Sequence, residues 1–304
     1  AWLALADLYD QAKNSNRRLE TLRAGSIAAP SSASIQRMLG DVYSDLNRYS
    51  EALPCYRRSI TLSPDQPAAY VALIEATRRL GHIDEARACL RQAEQLCPMD
   101  PGLAYQRAAV QIMDGDRRAG LNSLKSALSP ETAPLRWYLE YAETIFAGEE
   151  NGTSPDAEDS TSLVGVLDQA LKKFPSEFSL RYWLARALLR LNELEQASNE
   201  LENLMELPEA NQTEWRWRLL YSLGEAMLLQ HQTETSVAVL SEAHRLNPSH
   251  MYLQKLLAQA YTQAGLSQEA YGIAELVRGF SPMDVPTLNW YSGIMENLGR
   301  FDEA

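Results

Sequence analysis

The chain has 304 residues, 45% hydrophobic and 22% charged, which is ample for a large core and excludes a disordered tail or a disulfide-stapled miniprotein. Its 28 Lys and Arg against 40 Asp and Glu leave a net charge of −12, a field that repels phosphate backbones and disfavours non-specific nucleic-acid binding. No apolar run reaches the ~18 to 20 residues of a membrane span, residues 1–10 form no basic leader, and Cys55, Cys89 and Cys97 cannot all pair, so a reducing, cytoplasmic setting is expected.

Prolines punctuate the chain. Pro30, Pro64, Pro98, Pro130, Pro175, Pro208, Pro248 and Pro282 fall in series, the first three steps being 34, 34 and 32 residues and the last 34. A period of about 20–50 residues is the mark of a solenoid. The series predicts units at 1–31, 32–66, 67–99, 100–131, 132–176, 177–210, 211–250 and 251–284, with a partial unit at 285–304. The first unit opens on Trp2, Leu5, Ala6 and Tyr9. The second repeats this as Leu39, Gly40 and Tyr43 and adds Ala52, Tyr56 and Ser59. Leu73, Ala86 and Ala93 follow in the third, Ala108 and Ala127 in the fourth, Ala142 and Ala170 in the fifth, and Ala185 and Ala197 in the sixth. The seventh has Leu223, Gly224 and Ala243, the eighth Leu257, Ala258, Tyr261 and Ala270, and the ninth stops at Ala304 in the column of Ala52.

Large residues at i, i+3, i+4 and i+7 make one helix face apolar, and Gly or Ala in fixed columns lets a second helix come close. Each unit is therefore predicted to be two packed helices. Gly81, Gly115, Gly265, Gly299, Asn47 and Asn192 stand where a left-handed residue ends the first helix, and the periodic Pro stops the second. Nothing alternates like a strand.

This pattern resembles the tetratricopeptide repeat, whose motif runs aromatic, Leu-Gly, Tyr, Ala, an aromatic or Leu, Ala and Pro. Leu39-Gly40, Tyr43, Ala52, Tyr56, Ser59 and Pro64 match almost throughout, as do Leu257-Ala258, Tyr261, Gly265, Ala270 and Pro282. The match weakens at Arg107-Ala108, at Gly120 and in the fifth unit. The resemblance implies an all-α fold, an α-α superhelix of antiparallel helix pairs with about eight and a half repeats in one domain over 1–304. Both ends cut through a repeat without a polar cap, so the sequence reads as a fragment of a longer array whose uncapped faces offer a route to self-association.

Within the fifth unit the spacing opens by roughly nine residues, and residues 148–162, rich in Gly, Ser, Thr, Asp and Glu, are predicted to be an exposed inserted loop. Its acids Glu149, Glu150, Asp156, Glu158 and Asp159 do not follow EF-hand order. Asn151-Gly152-Thr153 and Asn211-Gln212-Thr213 fit the glycosylation pattern, which matters only in a secretory lumen. No H-E-x-x-H, G-x-S-x-G, Walker loop, G-x-G-x-x-G or C-x-x-C occurs. His82 and His231 fall in turn columns as solvated residues, and His244 and His250 are separated by a Pro break. Cys55 and Cys89, one repeat apart, read as packing residues. No enzyme, cofactor or metal site is expected.

Most aromatic residues, including Trp2, Tyr9, Tyr43, Tyr56 and Tyr261, stand in packing columns. Tyr105, Tyr182, Tyr221 and Lys255 share another column, and Asp41, Glu75, Arg186, Glu225 and Gln259 share the one four places later, a helical turn on and away from the partner helix. In the resembled family that face lines a concave groove for extended peptides. First helices of the sixth and seventh units carry Arg181, Arg186, Arg190, Arg216 and Arg218. The second helix of the sixth carries Glu193, Glu195, Glu200, Glu202 and Glu206. Such segregation predicts a basic, aromatic strip suited to an acidic or carboxylate-bearing segment; the alternative is pairing with acids of neighbouring repeats.

The candidate groove residues are Arg37, Asp41, Tyr105, Tyr182, Arg186, Arg190, Tyr221, Glu225 and Lys255. Charge reversal at Arg186 and Arg190 is expected to weaken binding without lowering the melting temperature. Some members of the resembled family clamp the C-terminal carboxylate of chaperones with Lys and Asn in these two columns; here they read Arg37/Asp41, Tyr182/Arg186 and Lys255/Gln259, so that clamp is absent. The expected function is a non-catalytic scaffold that binds a protein or peptide partner. The alternative is a recognition or regulatory arm of a larger enzyme such as a glycosyltransferase.

Overall fold

The computed structural model describes residues 1–128, 133–147, 155–280 and 284–300. Among them are seventeen α-helices and no strand, the all-α helical-repeat fold that the columns predict. The helices fall into two compact units, Ala1–Trp137 and Tyr138–Ala304. In the first, α1 (Trp2–Gln11) packs on α2 (Ser15–Ala28), α3 (Ala33–Asp45) on α4 (Tyr49–Leu62), α5 (Pro67–Arg79) on α6 (Ile83–Leu96) and α7 (Pro101–Met113) on α8 (Arg117–Leu128). Helix α9 (Leu135–Phe146) carries the residues where the first unit ends and the second begins. In the second, α10 (Ala157–Lys173) packs on α11 (Phe178–Arg190) and α11 on α12 (Leu194–Met205); the pairs α13 (Thr213–Leu229) with α14 (Thr233–Leu246) and α15 (Met251–Gln263) with α16 (Ser267–Phe280) follow. Helix α17 (Val285–Asn297) lies against α15 and α16.

The loop expected over 148–162 is shorter at its C-terminal end, because α10 already begins at Ala157. Asp156 caps it by accepting the Asp159 amide at 2.7 Å, and Glu158 and Asp159 complement the positive helix end. Expectations for Glu149, Glu150, the Asn151-Gly152-Thr153 acceptor, Pro130, Pro282 and Ala304 lie outside the described residues.

One turn geometry recurs through the array. Lys13, Asn47, Gly81, Gly115, Asn192, His231, Gly265 and Gly299 take φ between 52° and 86°. Each donates its amide three residues back while the next residue reaches five back; Gly81 N–H meets the Arg78 carbonyl at 2.9 Å and His82 N–H that of Thr77 at 3.1 Å. His231 is therefore more than a solvated turn residue, since it occupies the left-handed position at φ 62°. A β-carbon there costs about 1–2 kcal/mol, against ~0.5–1 kcal/mol of chain freedom that Gly adds to the unfolded state. His231→Gly is expected to raise stability by roughly 0.5–1 kcal/mol in urea unfolding; an unchanged midpoint would refute strain at this turn.

The small columns do their steric work. Ala52, Ala86, Ala197, Ala270, Ser59, Ala93, Ala127, Ala170 and Ala243 are fully buried. A β-carbon added at Gly40 would lie 2.5 Å from Cε1 of Tyr56. Trp2 and Tyr9 depart from the expected core: Trp2 is 38% exposed and Tyr9 only partly buried, α1 packing on α2 and, more weakly, on α3. Cys55, Cys89 and Cys97 are free and half-buried, and burial pushes the Cys55 and Cys89 thiols up, away from thiolate reactivity.

His244, in the last turn of α14, is partly buried, and desolvation lowers its pKa. Its Nδ1 has no hydrogen-bond partner among the described residues. The unfolded chain therefore binds the proton first. Stability on this account is full above an unfolded value near ~6.5 and declines as pH falls below it. His244→Gln is expected to flatten that decline between about pH 7 and 5, read from urea midpoints across pH; an identical slope in both proteins would remove His244 as the cause.

Candidate functional site

The candidate groove residues divide between the two units. In the first, Arg37 Nη1 pairs with Asp41 at 2.6 Å along α3, and the Tyr56 hydroxyl donates to the same carboxylate at 3.2 Å. Burial raises the Asp41 pKa, with Arg37 opposing. Tyr105 does not face a groove: it is 5% exposed and stacks on Trp137 at 4.8 Å.

In the second unit the first helices α11 and α13, with the C-terminal part of α9 and the start of α15, wall an open cleft of about 360 Å³. Phe146 and Trp183 stack at 5.1 Å, and Trp217 lies 4.7 Å from the His250 ring. Tyr182, Tyr221 and Tyr252 complete an aromatic lining that also holds Arg186, Arg218 and Glu143. The Arg186 guanidinium is 5.2 Å from the Phe146 ring and 5.1 Å from that of Tyr221, while Arg218 is 5.5 Å from Trp215 and 5.6 Å from Trp217. His250 caps α15, its Nδ1 accepting the Leu253 amide at 3.2 Å, a role that leaves the neutral ring's proton on Nε2. Desolvation raises the Glu143 pKa, Glu140 adds to the rise and Arg218 opposes it.

Of the six candidates here, Tyr182, Arg186 and Tyr221 line this cleft. Arg190 and Glu225 lie behind it in an ion-pair cluster: Arg190 Nη2 meets Glu225 at 2.7 Å, Arg186 Nη1 meets the other carboxylate oxygen at 3.2 Å, and Arg186 also donates to Ser222 at 3.3 Å. Lys255 lies outside the lining, bonded to Thr287 at 3.1 Å between the Tyr252 and Trp290 rings, and burial lowers its pKa against the pull of Asp284.

Successive first helices pack closely enough to interlock, so the face turned from the partner helix is largely consumed by the next repeat. This is why Tyr182 meets Trp215 and Arg186 meets Glu225 instead of solvent. Nor do the arginines form one strip. Arg181 pairs with Glu200 of α12 and Arg216 with Glu242 of α14. Reversing Arg186 without lowering the melting temperature is accordingly not expected, because its side chain is 3% exposed.

Several lining residues escaped the column reading, yet helical spacing marks them. Arg218 and Tyr252 stand three places before Tyr221 and Lys255, and Trp217 four places before Tyr221, on the same helix face one turn earlier. His250 stands two places after its periodic Pro in the N-cap column of Ser32, Asp100 and Asp284, a column that packing patterns do not single out because capping fills it. Among the described residues no group of His, Cys, Asp and Glu could hold a metal ion, and no helix is long and apolar enough to cross a membrane.

Two family models, both for the tetratricopeptide repeat, match residues 37–101 and 164–220. Among solved structures the chain is similar to one in the APC/C hetero-tetramer Cut9-Hcn1, with a TM-score of 0.59 at 13% identity over 97% of this chain and 55% of that one. It is also similar to TTC0263, a thermophilic TPR protein in Thermus thermophilus, with a TM-score of 0.51 at 22% identity over 62% of this chain and 97% of that one. The chain thus spans about half the length of the first of these, and both likenesses are of fold. Comparison with curated proteins gave no match.

Proposed function

Because this chain is a tetratricopeptide-repeat protein, we propose that it is a non-catalytic interaction scaffold whose second unit holds a polypeptide segment across the cleft of α9, α11, α13 and α15. The observation that carries this reading is the set of half-buried rings Trp183, Trp217, Tyr221 and Tyr252, contributed by three different helices around one open cavity. Aromatic side chains give large contact area for little ordering cost, and helix packing fixes them before a partner arrives. The flexible segment then bears most of the ordering entropy, and the scaffold bears little.

Selection from a random peptide display library against the full chain tests this. Recovered peptides should lose most of their affinity for Trp217→Ala and should slow amide exchange at the ends of α9, α11, α13 and α15. Recovered peptides indifferent to Trp217→Ala would refute the placement.

A further inference from the structure

Building on the scaffold reading, we infer that the cleft selects a segment bearing an aromatic side chain with a carboxylate beside it. Geometry favours a ring. A cavity of about 360 Å³ sits near the lower end of the ~300–1,000 Å³ range of ligand pockets, so it takes a large side chain and not a folded element. Its walls are tilted rings, with Trp217 and His250 at 47° and Phe146 and Trp183 at 27°. An incoming aromatic side chain finds stacked and edge contacts within the ~4.5–7 Å that ring pairs prefer.

Electrostatics disfavours the cationic alternative. Phe146, Tyr221 and Trp217 already have guanidinium groups over them, Arg186 near Tyr221 at 5.1 Å and Arg218 near Trp217 at 5.6 Å, and Lys255 lies over Tyr252, so an arriving cation meets these charges. Arg218 supplies the complementary attraction for an anion. Its side chain is 32% exposed, and its partner Glu214, at 3.3 Å, is 70% exposed, so a ligand carboxylate can take over a weakly held, solvent-screened position on the guanidinium fork. Glu143 is the one carboxylate among the described lining residues, and desolvation pushes it toward its neutral form, which softens its repulsion of an incoming acid.

The probe is a capped pentapeptide with a central tryptophan between two glutamates, titrated calorimetrically into the full chain. Affinity is expected to fall about tenfold or more when the glutamates become glutamines, when the tryptophan becomes alanine, and in Arg218→Glu, whereas Arg218→Lys retains part of it. Added salt should weaken the glutamate peptide more than the glutamine peptide. Equal affinity for both peptides, or a preference for a lysine version, overturns the carboxylate; indifference to the alanine peptide overturns the ring. Free indole-3-acetate binding as tightly as the peptide overturns a polypeptide source. If these probes fail while library selection still yields cleft-binding sequences of other composition, the inference falls and the scaffold reading stands; if nothing binds, both fall.

Discussion

An Arg186→Glu variant is expected to lose about 3–5 kcal/mol of folding stability, while Arg218→Glu, in the same cleft, should cost only about 1 kcal/mol. Both arginines sit on first helices and both line the cleft, so the contrast comes from burial. Arg186 is 3% exposed and bridges α11 to Glu225 and Ser222 of α13. Reversal would place two carboxylates against each other where water cannot screen them and would leave Ser222 without its guanidinium donor. It would also strip the Phe146 and Tyr221 faces of their cation. Arg218 pairs with the exposed Glu214 and lies over Trp215 and Trp217. Its reversal loses those ring contacts and adds repulsion with Glu143, but its one-third-exposed side chain can still turn into solvent. Urea unfolding followed by circular dichroism measures both losses, and native-state amide exchange should show the Arg186→Glu effect in α11 and α13. Equal midpoints for the two variants would mean that the Arg186–Glu225 pair does not hold these helices together.

The same contrast shows what the amino-acid pattern carries and where it stops. The small columns and left-handed turn positions are legible because they are set inside one hairpin, where fixed spacing decides which side chains meet. Gly81, Gly115 and Asn192 are found this way. Lys13 takes the same conformation with no compositional sign, since neighbouring packing can impose a left-handed residue that its own propensity disfavours. Between hairpins the pattern gives less. That Tyr182, Arg186 and Glu225 share a face follows from helical period, but whether that face opens to solvent depends on how closely α13 approaches α11, which one hairpin's spacing does not encode. Of the half-buried rings of the cleft, Tyr221 stands in the predicted column, Trp183 is the neighbour of Tyr182, and Trp217 and Tyr252 lie one turn nearer the helix starts. His250 joins them by capping α15 from the position that Ser32, Asp100 and Asp284 fill in other units, where only the residue type, a ring in place of a small polar side chain, is particular to this cleft.

Gly40→Ala is expected to destabilise the first unit by roughly 1–3 kcal/mol, although the same change inside a helix ordinarily gains ~0.8–1 kcal/mol. The two effects oppose, and the neighbour decides between them. The new β-carbon would sit 2.5, 2.7 and 3.0 Å from three ring carbons of Tyr56. That ring is 2% exposed, and its hydroxyl is tied to Asp41, which is itself paired with Arg37. A rigid ring fixed at its far end cannot step aside without breaking that hydrogen bond or parting α3 from α4, and either cost exceeds the gain in helix propensity. Gly165→Ala in α10 is the matching control, because nothing lies within 4 Å of its added β-carbon; it should gain about 0.5–1 kcal/mol. Tyr56→Phe releases the tether, so the Gly40→Ala penalty measured in that background should shrink. If Gly40→Ala instead tracks Gly165→Ala in urea unfolding, the close approach of the paired helices at this column would not limit which residue it accepts.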